Sequence, residues 1–303
     1  MGAVEAAWPD SPDELVALQH WLRGRADEVL SSAPFRLPAA PLIGGCFVAF
    51  ARGEAGPGRP GDRAFAAAVV WEPGHEALLR RGRGGTPGRS EGRALRGSHR
   101  LARVPRQAAD VVEQAVVLQA VRSGYTPGLL ALREGPVLAA AVAALEGRPD
   151  VLLVDASGAD HPRRAGLARH LGWALDLSTV GITRRPLQAR AAPAPASAAA
   201  GDSAAFDSWS ADPSRLRRGW WQPLHVDGEL VAALVCTRTG ARPVVAHAGW
   251  RTDVETALSV ALASSTEGAR APVPLQEARR VAREARDLAS DPLLPAMLRP
   301  RRG

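Results

Sequence analysis

The sequence predicts an α/β domain with a mixed sheet, in which an antiparallel meander of three strands precedes parallel strands and helices flank both. Short apolar runs separated by Gly/Pro turns open the chain after a first helix. A fully apolar run ending on a carboxylate, residues 151–155, lies near its middle. The resulting order β-β-β-α-β-α-β is that of an α/β sheet with mixed strand directions. We expect residues 1–303 to form a single domain.

The N-terminal part predicts one helix and the meander. Ser11 is a helix cap, Pro12 suits a first turn, and Glu14 completes a capping box. Apolar residues between turn signals then predict three strands. These strands are expected at Ala40–Ala51, Ala64–Glu72 and Val111–Val121.

The central part predicts a helix from Pro127 to Leu145 capped by Thr126, and a strand over Asp150–Ser157. The continuous apolar run of this strand is typical of a central parallel strand. A helix in "HPRRAGLARHLGWAL" and a strand in "LDLSTVGITRR" follow.

The C-terminal part predicts a hairpin, a further strand and two helices. An Asp-Gly turn marks the hairpin, and Thr252 with Glu255 forms a capping box for a helix that begins near Asp253. The last helix, Leu275–Leu288, is expected to turn its arginines to solvent. These are Arg279, Arg280, Arg283 and Arg286.

Two segments interrupt this pattern. Residues 76–108 are rich in Arg and Gly without an apolar period, which predicts a mobile basic loop, either a solvated linker or a phosphate-binding arm. Residues 188–214 are rich in Pro and Ala, which predicts a disordered insert.

Charge favours a polyanionic partner. The formal net charge is +7, and every residue of the Lys+Arg total is arginine. This favours nucleic acid first and an acidic membrane surface second.

Two cysteines without C-x-x-C spacing indicate reduced, buried thiols and argue against zinc. No apolar run of membrane-spanning length is present, so we expect a cytoplasmic monomer without membrane contact.

Two carboxylates carry the candidate chemistry. Asp155 follows a buried strand, at the edge where α/β sheets place their sites. Glu134, near the start of the preceding helix, could approach it. Two carboxylates in one site repel unless Mg²⁺ or Mn²⁺ lies between them. In a basic protein this arrangement indicates phosphodiester hydrolysis.

Several motifs resemble those of endonuclease V, the nuclease of deaminated-base repair. They are "LIGGCFVAF", "YTPGLLALREGP", "VDASGADHPRRAGLARHLG", "STVGITR" and "RPVVAHAGWRTDVETA". The resemblance implies an RNase H-like fold and a Mg²⁺-dependent enzyme that recognises inosine in DNA, or in RNA for some members, and nicks nearby on the 3′ side.

The resemblance implies that some catalytic positions of the family are kept in this chain and others are replaced. The family's metal-binding glutamate and second aspartate fall on Glu134 and Asp155, and its active-site lysine falls on Arg184. Its first-strand aspartate falls on Phe47, and the histidine of its G-H-R motif falls on Trp250. Two family positions have therefore lost their chemistry.

The resemblance also implies nucleic-acid contacts. The wedge Pro-Tyr-x-Pro becomes residues 124–127, and the Asp-Gly-x-Gly turn around the flipped base becomes residues 155–158. The implied contacts are Tyr125, Pro127, Ala156, Gly158, His161 and Arg163.

We interpret the chain as a relative of endonuclease V that binds nucleic acid, DNA rather than RNA. Its cleavage activity is expected to be lost or strongly reduced. An aspartate in a central strand is costly unless it holds a cation, whereas a buried Phe contributes about 1.5–3 kcal/mol. Two alternatives remain open. One is an active Mg²⁺ or Mn²⁺ endonuclease with a site rebuilt around Asp160 or His247. The other is a protein-interaction scaffold that no longer binds nucleic acid. Independently of function, Asp155 and Glu134 could also survive only as helix caps or as partners of Arg163.

Overall fold

A computed structural model describes residues 8–51, 58–73, 99–100, 111–191, 214, 216–266 and 268–290. Within these residues the strands form one ten-stranded sheet. In chain order they are β1 (Ile43–Phe50), β2 (Arg63–Trp71), β3 (His99–Arg100), β4 (Val111–Ala120), β5 (Val151–Val154), β6 (Ser178–Thr183), β7 (Arg190–Ala191), β8 (Trp221–Val226), β9 (Glu229–Val235) and β10 (Val244–Ala248).

The spatial order of the strands is β3-β4-β2-β1-β5-β6-β10-β9-β8-β7. Strands β1, β2 and β4 form the predicted antiparallel meander, and β5 adds parallel to β1 and β6 parallel to β5. The predicted mixed sheet is thereby confirmed. Beyond β6 the sheet returns to antiparallel pairing through β10, β9, β8 and β7.

Helices cover both faces of the sheet. They are α1 (Pro12–Ser32), α2 (Leu130–Ala143), α3 (Leu167–Leu175), α4 (Val254–Ala263) and α5 (Val273–Ser290). Apolar residues of α4 and α5 form one core with the sheet, and those of α2 and α3 form a second core on the opposite face. Successive residues of a strand therefore face the two cores alternately.

Several predicted helix and strand limits are wrong. Helix α3 begins at Leu167 rather than in the preceding "HPRR" stretch, and Asp253, not Thr252, caps α4. Helix α2 begins at Leu130 rather than Pro127, and Thr126 is not its side-chain cap. Instead, the Thr126 carbonyl accepts the Leu129 N–H at 3.0 Å, which closes a turn that needs Gly128 at φ +78°. Strand β5 ends at Val154, so Asp155 already belongs to the following loop.

Both predicted inserts contain two residues that pair into the sheet. In the 76–108 segment, β3 pairs with β4, and in the 188–214 segment, β7 pairs with β8. Backbone hydrogen bonding thus extends further than the composition of these segments indicates. The other residues of 76–108 and residues 192–213 lie outside the described residues.

Cys46 and Cys236 are buried free thiols, as predicted. In the part of the chain that the structure describes, no helix combines the length and apolarity needed to cross a bilayer.

Candidate functional site

Phe47 and Asp155 lie side by side at the carboxyl end of the central parallel strands. The register pairs Cys46 of β1 with Val154, the last residue of β5. Phe47 is therefore the next residue of β1, and Asp155 is the first residue of the loop after β5. The half-buried Phe47 ring packs against the core formed with α5. A carboxylate at position 47 would therefore adjoin Asp155, as the resemblance implies for the family's first-strand aspartate.

Arg279 of α5 neutralises Asp155. Its Nη2 donates to Asp155 Oδ2 at 2.7 Å, with 21% of the Arg279 side chain and 30% of the Asp155 side chain exposed. The same guanidinium lies 5.0 Å from the centroid of the Phe47 ring, within cation–π range. The prediction that Arg279 points to solvent is wrong, because the sheet edge brings a carboxylate beneath it.

Glu134 lies in the second turn of α2 and is partly exposed. Burial and the negative charge of Asp155 raise the pKa of Glu134 to about 7, while Arg133 opposes the shift. Burial, with smaller contributions from Asp155 and Glu134, raises the pKa of the Cys46 thiol. The two predicted acids are thus within electrostatic reach of each other.

These donors do not fit a divalent cation. Mg²⁺ requires near-octahedral oxygen coordination, from carboxylates together with waters or phosphates. Here one carboxylate is bonded to a guanidinium and an aromatic ring stands in the third position. Across the described ranges, no three His, Cys, Asp or Glu side chains are grouped so that they could hold a metal ion.

Asp160 and His247 do not rebuild the site. The Asp160 carboxylate accepts the backbone N–H groups of Leu187, Gln188 and Ala189 at 2.7–2.9 Å. His247 Nε2 lies 2.7 Å from the Thr183 hydroxyl and its Nδ1 3.8 Å from Asp160. Burial lowers the pKa of His247, so its ring is neutral. Asp160 thus holds the segment after β6, and His247 contacts the last residue of β6.

Trp250 has a packing role. Its ring lies in a buried cluster with Leu22 and Ala26 of α1 and with Ala165, separate from the core that contains Phe47. Its backbone N–H donates to the Thr179 hydroxyl at 2.9 Å. The position that the resemblance assigns to a histidine therefore contributes stability here.

One end of the loop carrying Tyr125 is attached through a single carbonyl oxygen. The Gly128 oxygen accepts from Arg163 Nη2 at 2.8 Å and from Gln19 Nε2 at 3.3 Å, and His161 Nε2 lies 3.2 Å away. The Arg163 N–H donates to His161 Nδ1, so the proton resides on Nε2. Burial and the Arg163 charge lower the pKa of His161 to about 4, which keeps this tautomer neutral.

The other end of this loop is attached through Arg133. Its Nη1 donates to the Ser123 carbonyl at 2.9 Å, and its Nη2 pairs with Asp62 at 2.6 Å. Between these attachments Tyr125 is 47% exposed, and Pro127 is exposed too. The predicted wedge is thus an exposed aromatic ring on a loop held at both ends.

The loop after Asp155 is packed tightly. Ala156 is buried, and a Cβ on Gly158 would come within 2.1 Å of the Ala248 carbonyl oxygen. The Gly158 carbonyl accepts the Gly166 N–H at 2.9 Å. Only glycine fits at position 158 without moving β10, and the predicted base contacts at Ala156 and Gly158 lie on buried residues.

Arg184 lies at the same sheet edge as Asp155, directly after β6. Thr183 pairs with Val245 of β10, which brings Arg184 close to exposed Arg242. Arg270 donates to the Pro243 carbonyl at 2.7 Å. Burial, then the charges of Arg184 and Arg242, lowers the pKa of Arg270. We call these three residues the arginine patch (Arg184, Arg242 and Arg270).

Sequence reasoning missed Arg279 and Gln19. The four-residue spacing of Arg279 and Arg283 indicates that both share one helix face. No local signal linked Gln19 to the loop at Gly128, because their contact spans 109 residues.

Comparison with known proteins identifies the family. A family model described as endonuclease V matches residues 91–280, more than half of the chain. An endonuclease V from Roseiflexus sp. (strain RS-1) is 36% identical over 157 residues, 52% of this chain and 62% of that protein. One from Methanopyrus kandleri is 42% identical over 150 residues, 49% of this chain and 56% of that protein. The chain thus matches less than two thirds of the length of these curated relatives.

Solved structures share the fold. The crystal structure of endonuclease V from Streptomyces avermitilis is 29% identical with a TM-score of 0.67, covering 94% of this chain and 97% of that one. A Ciona intestinalis endonuclease V, solved with DNA containing an inosine followed by a ribo-adenosine, is 17% identical with a TM-score of 0.57, covering 91% and 98%. The RNase H-like mixed sheet is confirmed, and the chain belongs to the endonuclease V family.

Proposed function

We propose that this protein binds nucleic acid and has lost all or most of the metal-dependent cleavage of phosphodiesters. Its expected ligand is DNA carrying a deaminated base, inosine first. The observation that carries the proposal is the ion pair between Asp155 and Arg279 beside the Phe47 ring.

The ion pair removes what a hydrolytic metal centre needs. Divalent ions stabilise the charge that develops in phosphodiester hydrolysis and generate its nucleophile, and carboxylates hold them. Asp155 is already neutralised by a guanidinium, which cannot activate a water molecule as a metal ion does. A metal ion that displaced Arg279 from Asp155 would leave the partly buried guanidinium of Arg279 without a partner, which is unfavourable. A metal would therefore have to compete with a bond already made.

Glu134 alone does not compensate. Its raised pKa, about 7, suits a general base. General base catalysis contributes about 10²–10⁴-fold, whereas enzymes typically accelerate reactions by about 10⁶–10¹⁷-fold. Without a metal ion to activate the attacking water, the remaining acceleration is missing.

Three features support nucleic-acid binding. The arginine patch lies at the same sheet edge as Asp155, and two of its members, Arg184 and Arg242, are exposed. Tyr125 offers an exposed ring for stacking on a loop with fixed ends. The chain carries a net charge of +7. The Ciona intestinalis relative, which shares the fold, was solved with inosine-containing DNA.

A nicking assay tests the loss of cleavage. Wild type, Phe47→Asp and Glu134→Ala would be incubated with a labelled inosine-containing duplex and Mg²⁺ or Mn²⁺. We expect wild type to produce no more nicked product than Glu134→Ala. Wild-type nicking that Glu134→Ala abolishes would establish the alternative, an active endonuclease with a rebuilt site.

A binding assay tests the ligand. Fluorescence anisotropy would compare oligonucleotides of equal length with inosine or guanine at one position. We expect binding, tighter for inosine, that weakens as salt rises. Failure to bind either oligonucleotide even at low salt would instead favour the protein-interaction scaffold.

A further inference from the structure

Two arginines of α5 lie over the site. Arg279 and Arg283 are one helical turn apart and approach the same ring, with guanidinium carbons 5.0 and 5.9 Å from the Phe47 centroid. An aspartate at position 47 would also attract these cations, but it would engage their N–H groups. Phe47 instead holds them in place by cation–π contact and leaves their donors free.

Most of the hydrogen-bonding capacity of this pair remains available. A guanidinium carries five N–H donors, and Arg279 spends one on Asp155. Arg283 is exposed and forms no ion pair with any residue that the structure describes. Guanidinium groups match the geometry of phosphate oxygens and bind them bidentately. The pair is therefore suited to receive a phosphodiester beside Asp155.

We propose that Arg279 is the resident cation of this site, and that Arg279 and Arg283 hold a nucleic-acid phosphodiester at the end of β5 without a divalent ion. This inference rests on the proposed function, since it presumes that the chain binds nucleic acid. It adds that the group bound is a phosphodiester, that Arg279 and Arg283 contact it, and that binding needs no divalent ion. Asp155 then acts as a positioning residue for Arg279.

Arg280 provides a matched control. It lies on the same helix beside Arg279, but its guanidinium pairs with Glu277 at 2.9 Å and Glu284 at 2.8 Å. Arg280→Ala removes the same charge from α5 as Arg283→Ala does. A difference between these variants therefore reports on position rather than on net charge.

The first test measures binding of an inosine-containing oligonucleotide in EDTA and in Mg²⁺. We expect wild-type affinity to differ by less than about twofold between the buffers and Arg283→Ala to weaken it by about tenfold, which is about 1.4 kcal/mol. Arg280→Ala should leave it unchanged. Binding that requires a divalent ion, or equal losses in both variants, would overturn this inference alone. Absence of binding in either buffer would overturn the proposed function as well.

The second test does not depend on nucleic acid. Mn²⁺ would be titrated calorimetrically into wild type, Arg279→Ala and Phe47→Asp/Arg279→Ala. We expect no Mn²⁺ binding by wild type and measurable binding by the double variant, which restores a third carboxylate and removes the competing cation. Stoichiometric Mn²⁺ binding by wild type, lost in Glu134→Ala, would show that the site holds a metal despite Arg279.

Discussion

Arg163 donates a hydrogen bond to the carbonyl oxygen of Gly128 at 2.8 Å, and Gln19 accepts from the Arg163 Nε at 2.5 Å. Helix α1 is thereby connected to the loop that presents Tyr125. Arg163 is partly buried and makes both of these bonds, which gives it a supporting role toward Tyr125. Its contact with nucleic acid stays a prediction.

We expect Gln19→Ala to weaken oligonucleotide binding without unfolding the protein. One hydrogen bond of this kind contributes about 0.5–1.5 kcal/mol, which corresponds to a loss of about two- to tenfold in affinity. Anisotropy would measure the affinity, and circular dichroism would verify the fold. Arg25→Ala, which breaks an exposed pair with Glu28 on the same helix, serves as control. Equal affinities for wild type and Gln19→Ala would contradict the supporting role.

The arginine patch should set part of the salt dependence of binding. Each phosphate contact contributes about 0.7–0.9 to the slope of log K against log salt. We expect Arg184→Ala and Arg242→Ala each to reduce the slope by about one. Arg148 precedes β5 at the opposite sheet edge and pairs with Asp176, so Arg148→Ala should leave the slope unchanged. A common reduction in all three variants would indicate that only net charge matters.

Trp250 should be far more important for stability than for chemistry. Removing a buried Trp ring costs about 3–5 kcal/mol, so we expect Trp250→Ala to lower the free energy of unfolding by that amount. Urea denaturation would measure it. Trp21→Ala is the control, because Trp21 is 51% exposed and contacts Trp173 only edge-on. A loss below about 1 kcal/mol, typical of surface positions, would be inconsistent with the packing described.

His161 should make stability depend on pH. Its pKa is about 4 in the folded chain against an ordinary value of 6.5, so between these values the unfolded chain binds a proton that the folded chain does not. The contribution of His161 to the free energy of unfolding is therefore fully present above pH 6.5 and is lost as the pH falls toward 4. The expected loss is of the order of 3 kcal/mol.

Denaturation of wild type and His161→Gln at several pH values would measure this dependence. The variant should lose part of the pH dependence, because glutamine retains a donor and an acceptor but does not titrate. His20→Gln, at an exposed position of α1, is the control and should behave as wild type. Parallel pH profiles for wild type and His161→Gln would refute the assignment.

The sequence by itself determined the strand and helix pattern, the two acids and the family. Apolar runs such as that of β5 indicate burial, since a strand covered on both faces is mostly apolar. Motifs around Glu134 and Asp155 are continuous in the chain, so their resemblance to endonuclease V could be recognised without coordinates. The replacements at Phe47 and Trp250 were visible for the same reason.

Only the tertiary structure decided what these replacements do. Arg279 meets Asp155 across 124 residues of sequence, and this contact depends on the register of β1 and β5 together with the position of α5. A helix pattern distinguishes an apolar face from a polar one, but it does not say which charge lies opposite a polar residue near a sheet edge. Trp250 likewise entered a core assembled from α1 and the loop before α3. Periodicity reports local burial, whereas the partner of a charge or a ring is set by elements that meet only when the whole sheet has formed.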